Sequence, residues 1–180
     1  MTTATPPSEA HAGATVFVGL GANLGDARAT LRDALSALRA LAAPGSFRAS
    51  SLYGSAPVDS SGPDYVNAVA CLRTALAPHE LLDALQAIEQ RFGRERPYRN
   101  APRTLDLDIL LFGVEGDAGG VVIDDERLVV PHPRAVQRTF VLAPLAELWP
   151  NGAIPGAGRV ADLLAEAELD PAQRVERLEA

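Results

Sequence analysis

The sequence predicts a single domain of the α+β class, and three observations carry the prediction. Two stretches space apolar residues as a helix would: Leu31, Leu35, Leu38 and Ala42, then Leu81, Leu82, Leu85, Ile88 and Phe92. Four shorter apolar runs have the length and composition of strands. Along the chain these segments read strand, helix, strand, strand, helix, strand. That order is the ferredoxin-like one, an antiparallel sheet with helices on one face and the other face left for a ligand. A chain of 180 residues suits one domain with a full core, and no stretch is a long enough linker to divide it.

The elements follow in order. "ATVFVGLGANLGD" opens with an apolar strand, about 15–20, and closes in a glycine turn. Residues 26–42 form the first helix, which Pro44 and Gly45 end. Residues 46–54 read as a strand, and "GSAPVDSSGPD" is a loop of turn formers. Residues 65–75 alternate enough for a strand, and Pro78 then opens the second helix. After an arginine-rich loop, 104–112 is the fourth strand, and 121–130 adds short edge strands. "PRAVQRTFVLAPLAELWP" is a third helix or helical turn followed by more helical chain. Residues 151–180 are expected to pack as helical C-terminal chain. Residues 1–13 read as a flexible tail ahead of a domain spanning 14–180.

Composition narrows the function. The chain is 47% apolar and 22% charged with a net charge of −7, which disfavours a general nucleic-acid surface. Yet residues 91–103 hold five arginines and one acid, Glu95. A compact positive island in an acidic protein fits a small polyanion, such as a nucleotide, better than a polymer. All 16 cationic residues are arginine, so any phosphate grip comes from guanidinium forks and backbone amides, not a lysine loop. The single Cys71 excludes an internal disulfide and a multi-cysteine metal site. No apolar run reaches the roughly 18 residues of a membrane span, and "MTTATPPSEAHAG" lacks a signal-peptide core. The expectation is a cytoplasmic protein without a membrane partner.

The strand at 104–112 contains two acids, Asp106 and Asp108, among leucines. Side chains alternate along a strand, so both acids face one way while Leu105, Leu107, Ile109 and Leu111 face the other. Two like charges this close repel, and a cation between them relieves it. Hard oxygen ligands favour Mg²⁺, which commonly takes one or two carboxylates plus substrate phosphates. A solvated face paired to nearby arginines is the plainer alternative. The loop "RFGRERPYRNAPR" runs straight into this strand and is longer than a simple connection, as lids over active sites often are.

Tyr65 and Asn67 also share a strand face; a ring for stacking and a carboxamide suit a flat heteroaromatic ligand. Gln86 and Glu89 sit three apart on one helix face, apart from the apolar stripe. His132 lies between prolines in "PHPR", near Arg127, Arg134 and Arg138, and reads as a further phosphate contact. "GLGANLGD" is one residue off the dinucleotide fingerprint, and the strand order argues against a Rossmann unit, so NAD is rejected.

Taken together, "VGLGANLGD", "SSLYGSAPV", "PDYVNAV", "LLDALQAIEQRFGRERPYRNAPRTLDLDILLFG" and "LVVPHPR…RTFVLAPLAEL" resemble hydroxymethyl-dihydropterin pyrophosphokinases, over roughly residues 15–150. The resemblance implies a ferredoxin-like monomer that transfers pyrophosphate from MgATP to the hydroxymethyl group of 6-hydroxymethyl-7,8-dihydropterin. AMP is released, and the reaction is a step of tetrahydrofolate biosynthesis. By the same resemblance, Asp106 and Asp108 hold two Mg²⁺ ions on the ATP phosphates and act with Arg96 and Arg103 in catalysis. Tyr65 and Phe140 sandwich the pterin, and Asn67 reads its polar edge with backbone from Ser55, Ala56 and Val58. Gln86, Glu89, Arg96, Arg103, Ile109, Arg127, His132 and Arg138 are similar to the ATP-binding set, and Arg94 and Arg99 match the other arginines of the loop. The sequence departs from the family pattern at Asn100, Val129, Pro133 and Ser55–Ala56.

The resemblance implies in-line attack on the β-phosphorus, chemistry that needs positioning and charge neutralisation more than a covalent protein group. Two other readings remain: a different two-metal nucleotide transferase on this sheet, and a ferredoxin-like RNA-binding or sensor module. The net charge disfavours a polymer groove, and no strand matches the aromatic RNA-binding pattern.

Overall fold

The computed structural model describes residues 13–57, 62–93 and 104–180. In chain order the elements are β1 (Ala14–Ala22), α1 (Ala27–Arg39), β2 (Arg48–Ala49), β3 (Tyr53–Ser55), β4 (Tyr65–Thr74), α2 (Pro78–Arg91), β5 (Asp106–Phe112), β6 (Ile123–Asp124), β7 (Val129–Val130), α3 (Thr139–Leu148), β8 (Ala153–Ile154), β9 (Gly158–Arg159), α4 (Val160–Ala167) and β10 (Val175–Arg177). Local chemistry sets the helix starts. Asp26 accepts from the Ala29 N–H at 3.0 Å to cap α1, and Glu80 reaches back to the Ala77 N–H at 3.1 Å before α2.

The main sheet runs β10–β3–β4–β1–β5, with β2 also on β4, and its pairings are antiparallel. Val16, Val18, Leu20 and Ala22 of β1 and Ala68, Ala70 and Leu72 of β4 point to one face. There they pack on Leu31, Ala34 and Leu38 of α1 and Leu81, Leu85 and Ile88 of α2. Burying a leucine fully contributes about 2 kcal/mol, so these stripes decide where both helices dock.

The sequence reading expected the opposite face to be free for a ligand, but part of it is covered. Phe17, Val69 and Cys71 meet Leu142, Leu145 and Trp149 of α3 and Val160 and Ala167 of α4, which cover one end of it. The Phe17 and Trp149 rings lie 5.4 Å apart, and the indole N–H donates to the Gly116 carbonyl at 2.7 Å. The other end is left for the site.

Four expectations need correction. Leu111 does not face α1 and α2. Val18 pairs with Ile109 but Phe17 with Leu111, so Leu110 is an extra residue in β5. A bulge of this kind reverses the alternation, and Leu110 and Leu111 both join the cluster around Trp149 while Phe112 turns to the first face. The strand expected at 46–54 is two strands, because the Ser50 hydroxyl takes the Val69 N–H at 2.9 Å and breaks the ladder. Residues 121–130 form their own hairpin, β6 with β7, instead of adding edges to the main sheet. The C-terminal chain is helical only in part, and β10 ends it as the edge strand beside β3.

Candidate active site

The uncovered end of the second face is built around two glycines. Gly19 pairs with Asp108 and Gly21 with Asp106 on one side, and Gly21 pairs with Asn67 on the other. Neither has a positive φ, so what matters here is the missing side chain. A Cβ on Gly21 would lie 3.2 Å from Asn67 Oδ1, and one on Gly19 would lie 3.2 Å from the Leu110 side chain. β1 thus supplies a bare floor between the acids of β5 and the polar groups of β4. This role of the G-x-G was missed from the sequence; its signal is a G-x-G on one strand of the same period as D-x-D on another.

Beyond the floor, Asn67 is buried and donates through Nδ2 to Ser55 Oγ at 2.8 Å. That bond fixes the amide so that Oδ1 lies over Gly21. Tyr65 pairs with Ser55 across β3 and β4 and is half-buried, as is Phe140, while Ala56 is exposed. β3 is held to α3 by Glu147, which accepts from the Tyr53 hydroxyl at 2.6 Å and from Ser51 N–H and Oγ at 3.0 Å.

On the acid side, Asp106 and Asp108 are half-buried on the predicted shared face. His132 is drawn to β5 by its N–H, which donates to the Leu110 carbonyl at 3.0 Å. Its Nδ1 accepts from the Arg134 N–H at 3.2 Å, and Nε2 stands 3.8 Å from Asp108 Oδ1. Burial, reinforced by the positive charges of Arg138 and Arg134, lowers the imidazole's pKa against the opposing pull of Asp106. Arg138 also lies over the Phe140 ring, 5.4 Å from its centroid.

The remaining predicted residues are dispersed. Gln86 is exposed and Glu89 is buried on α2. Arg127 pairs with Asp83 of α2, and His79 holds Asp125 at 2.7 Å, so the turn between β6 and β7 is clamped to that helix. The Ile109 side chain is in the core facing α1 and α2, leaving only its backbone for a ligand. Val58, Arg94, Arg96, Arg99, Asn100 and Arg103 lie outside the described residues, as does the tail apart from Gly13.

Among the described residues no group of three or more His, Cys, Asp or Glu could hold a metal. The donor set is therefore the Asp106–Asp108 pair, all hard oxygen. It fits a magnesium ion whose other ligands are phosphate oxygens and water better than a full protein cage.

The fold and these residues define a class: an α+β protein with a candidate site of paired acids and buried polar groups on one sheet face. The family model described as 7,8-dihydro-6-hydroxymethylpterin-pyrophosphokinase (HPPK) matches residues 17–150. The 2-amino-4-hydroxy-6-hydroxymethyldihydropteridine pyrophosphokinase of Pseudomonas aeruginosa is 45% identical over 164 residues, 91% of this chain and 96% of its own. The Bacillus subtilis protein of that name is 44% identical over 133 residues, 73% of this chain and 76% of its own. The crystal structure of an HPPK-DHPS in complex with substrates shares the fold at TM-score 0.68 and 12% identity, over 93% of this chain and 47% of that one. The wild-type Plasmodium falciparum HPPK-DHPS gives 0.65 and 13%, over 86% and 44%. This chain spans about half the length of those solved chains. It belongs to the 7,8-dihydro-6-hydroxymethylpterin-pyrophosphokinase family.

Proposed function

We propose that the site performs its family's reaction: pyrophosphate passes from ATP to the hydroxymethyl group of 6-hydroxymethyl-7,8-dihydropterin, a step of folate biosynthesis. The observation that carries this reading is the pairing of opposites across the Gly19–Gly21 floor. Asp106 and Asp108 stand on one side, the Ser55–Asn67 pair and Tyr65 on the other. A polyphosphate and a flat polar ring can lie side by side there.

On the ring side, Asn67 Oδ1 accepts from pterin N–H groups, its orientation fixed by the bond to Ser55. Tyr65 and Phe140 supply the stacking surfaces, and the backbone of Ser55, Ala56 and Val58 completes the polar edge. On the phosphate side, Asp106 and Asp108 would hold two Mg²⁺ ions. When bound, these ions neutralise the phosphate oxygens and polarise the reacting ones. His132, neutral and with its proton on Nε2, donates to a phosphate oxygen beside Asp108. By the family resemblance, Arg127, Arg138, Gln86, Glu89, the Ile109 backbone and the loop residues Arg94, Arg96, Arg99 and Arg103 make up the nucleotide-binding set. The hydroxymethyl oxygen attacks the β-phosphorus in line, and AMP leaves.

We assign this activity to a domain spanning residues 14–180, working as a cytoplasmic monomer on small molecules and not on nucleic acid or membrane. The net charge of −7 supports that choice of partner, and no described helix is long and apolar enough to cross a membrane. The test is incubation with MgATP and the hydroxymethyl pterin. Release of AMP with a diphosphorylated pterin is expected; ADP, or no pterin-dependent nucleotide product, refutes the assignment.

A further inference from the structure

Residues 170–178 tie together two elements that flank the proposed pterin side. Asp170 accepts from the Ala172 N–H at 2.9 Å and starts a short 3-10 turn, Pro171–Gln173. Gln173 Oε1 then accepts from the Thr139 N–H at 3.1 Å, across 34 residues of chain. Thr139 is the first residue of α3, and Arg138 before it provides no side-chain cap. The opening N–H groups of a helix have no partner within it, so Gln173 caps α3 from a distant part of the sequence.

The chain next enters β10, which pairs with β3 in the register Val175↔Ser55, Glu176↔Gly54 and Arg177↔Tyr53. The Leu178 N–H donates to the Leu52 carbonyl at 2.8 Å. Its side chain rests on Gly54, where a Cβ would meet it at 3.3 Å. One segment thus fixes Ser55, the partner of Asn67, and the start of α3, whose next residue is Phe140. The whole segment lies beyond the family-matched residues 17–150.

We infer that Gln173 is a positioning residue for pterin recognition: by capping α3 at Thr139 it sets the Phe140 ring relative to the Ser55–Asn67 pair. The inference rests on the pyrophosphokinase reading. Gln173 touches no reacting atom. β10 pairs with β3 and lies at the far edge of the sheet from β5, so the larger effect falls on the pterin; Arg138, one residue before Thr139 and over the Phe140 ring, carries a smaller one to the nucleotide side.

Steady-state kinetics of the full chain test this with wild type, Q173A and Q173E. Q173A should raise the pterin KM about three- to tenfold, the scale of one lost helix cap, with kcat and the ATP KM within about twofold of wild type. Q173E keeps an acceptor at similar reach, favourably charged at a helix N-terminus, and should restore the pterin KM. An unchanged pterin KM in Q173A, an equal rise in both KM values, or no recovery in Q173E overturns the inference. If wild type releases no AMP, the functional reading fails and takes the inference with it. AMP from wild type together with an unaltered Q173A removes the positioning role alone.

Discussion

His132 Nε2 stands 3.8 Å from Asp108 Oδ1, and its lowered pKa keeps the imidazole neutral at physiological pH. Because Nδ1 accepts from Arg134, the ring's one proton is on Nε2, facing the acid side of the site. His132→Ala should therefore raise the ATP KM about tenfold, the cost of a hydrogen bond to a charged group, and leave the pterin KM in place. Equal loss for both substrates would show that the residue shapes the whole sheet end instead.

Asp106→Ala and Asp108→Ala test the acid pair. Each should lower turnover by about 10²-fold or more, the scale of a lost charge-stabilising group at a reacting centre. Both residues are half-buried on an uncovered face, so the folded state should survive. Circular dichroism and a thermal melt alongside the AMP assay separate the two effects. Near-normal magnesium-dependent turnover in either variant would remove the acids from the mechanism.

Gly21→Ala tests the floor. Its Cβ would sit 3.2 Å from Asn67 Oδ1, the atom assigned to the pterin edge. Overpacking of this kind costs about 1–3 kcal/mol, so the pterin KM should rise by about fivefold or more. Gly19→Ala meets only the flexible end of Leu110 and should be milder. The reverse ranking would mean that Asn67 can move aside without cost.

Tyr53 and Glu147 give the fold a pH signature at both ends. Burial, with the hydrogen bond to Glu147, pushes the Tyr53 pKa up to about 12 from 10.0. The unfolded chain ionises first, so wild type should lose stability as pH climbs from 10.0 toward 12, and Tyr53→Phe should flatten that limb. At neutral pH the same variant should cost about 1–2 kcal/mol in urea unfolding, one charge-assisted hydrogen bond. For Glu147, burial opposes ionisation, but donors from Tyr53 and Ser51 prevail and its pKa is lowered. Its contribution is present above the ordinary glutamate pKa and fades as pH falls through the folded-state value. The stability gap between wild type and Glu147→Gln should narrow in acid; a constant gap would contradict the lock.

Period and composition made the helices and the acid face readable. The Leu31/Leu38 and Leu81/Leu85 stripes repeat at helical spacing whatever they pack on. Asp106 and Asp108 share a face by alternation alone. Leu111 was misplaced because a bulge depends on which residue of β1 lies opposite, and no local pattern marks it. The split at Ser50 likewise depends on a hydroxyl meeting a backbone donor on another strand. β10 carries the sequence Val-Glu-Arg, largely exposed at a sheet edge, with too few residues for an alternating signal. The glycines of β1 were seen but assigned only by what they do not bind; their use emerges from the register with β4 and β5.

The extra residue in β5 lets seven residues behave as two short ladders of opposite sense. Ahead of Leu110 the strand shows water its carboxylates; past it, the same side of the sheet receives grease and is anchored beneath Trp149. Acidic reach and firm footing are thereby given to a single strand, so the two carboxylates are mounted directly beside the packed second core.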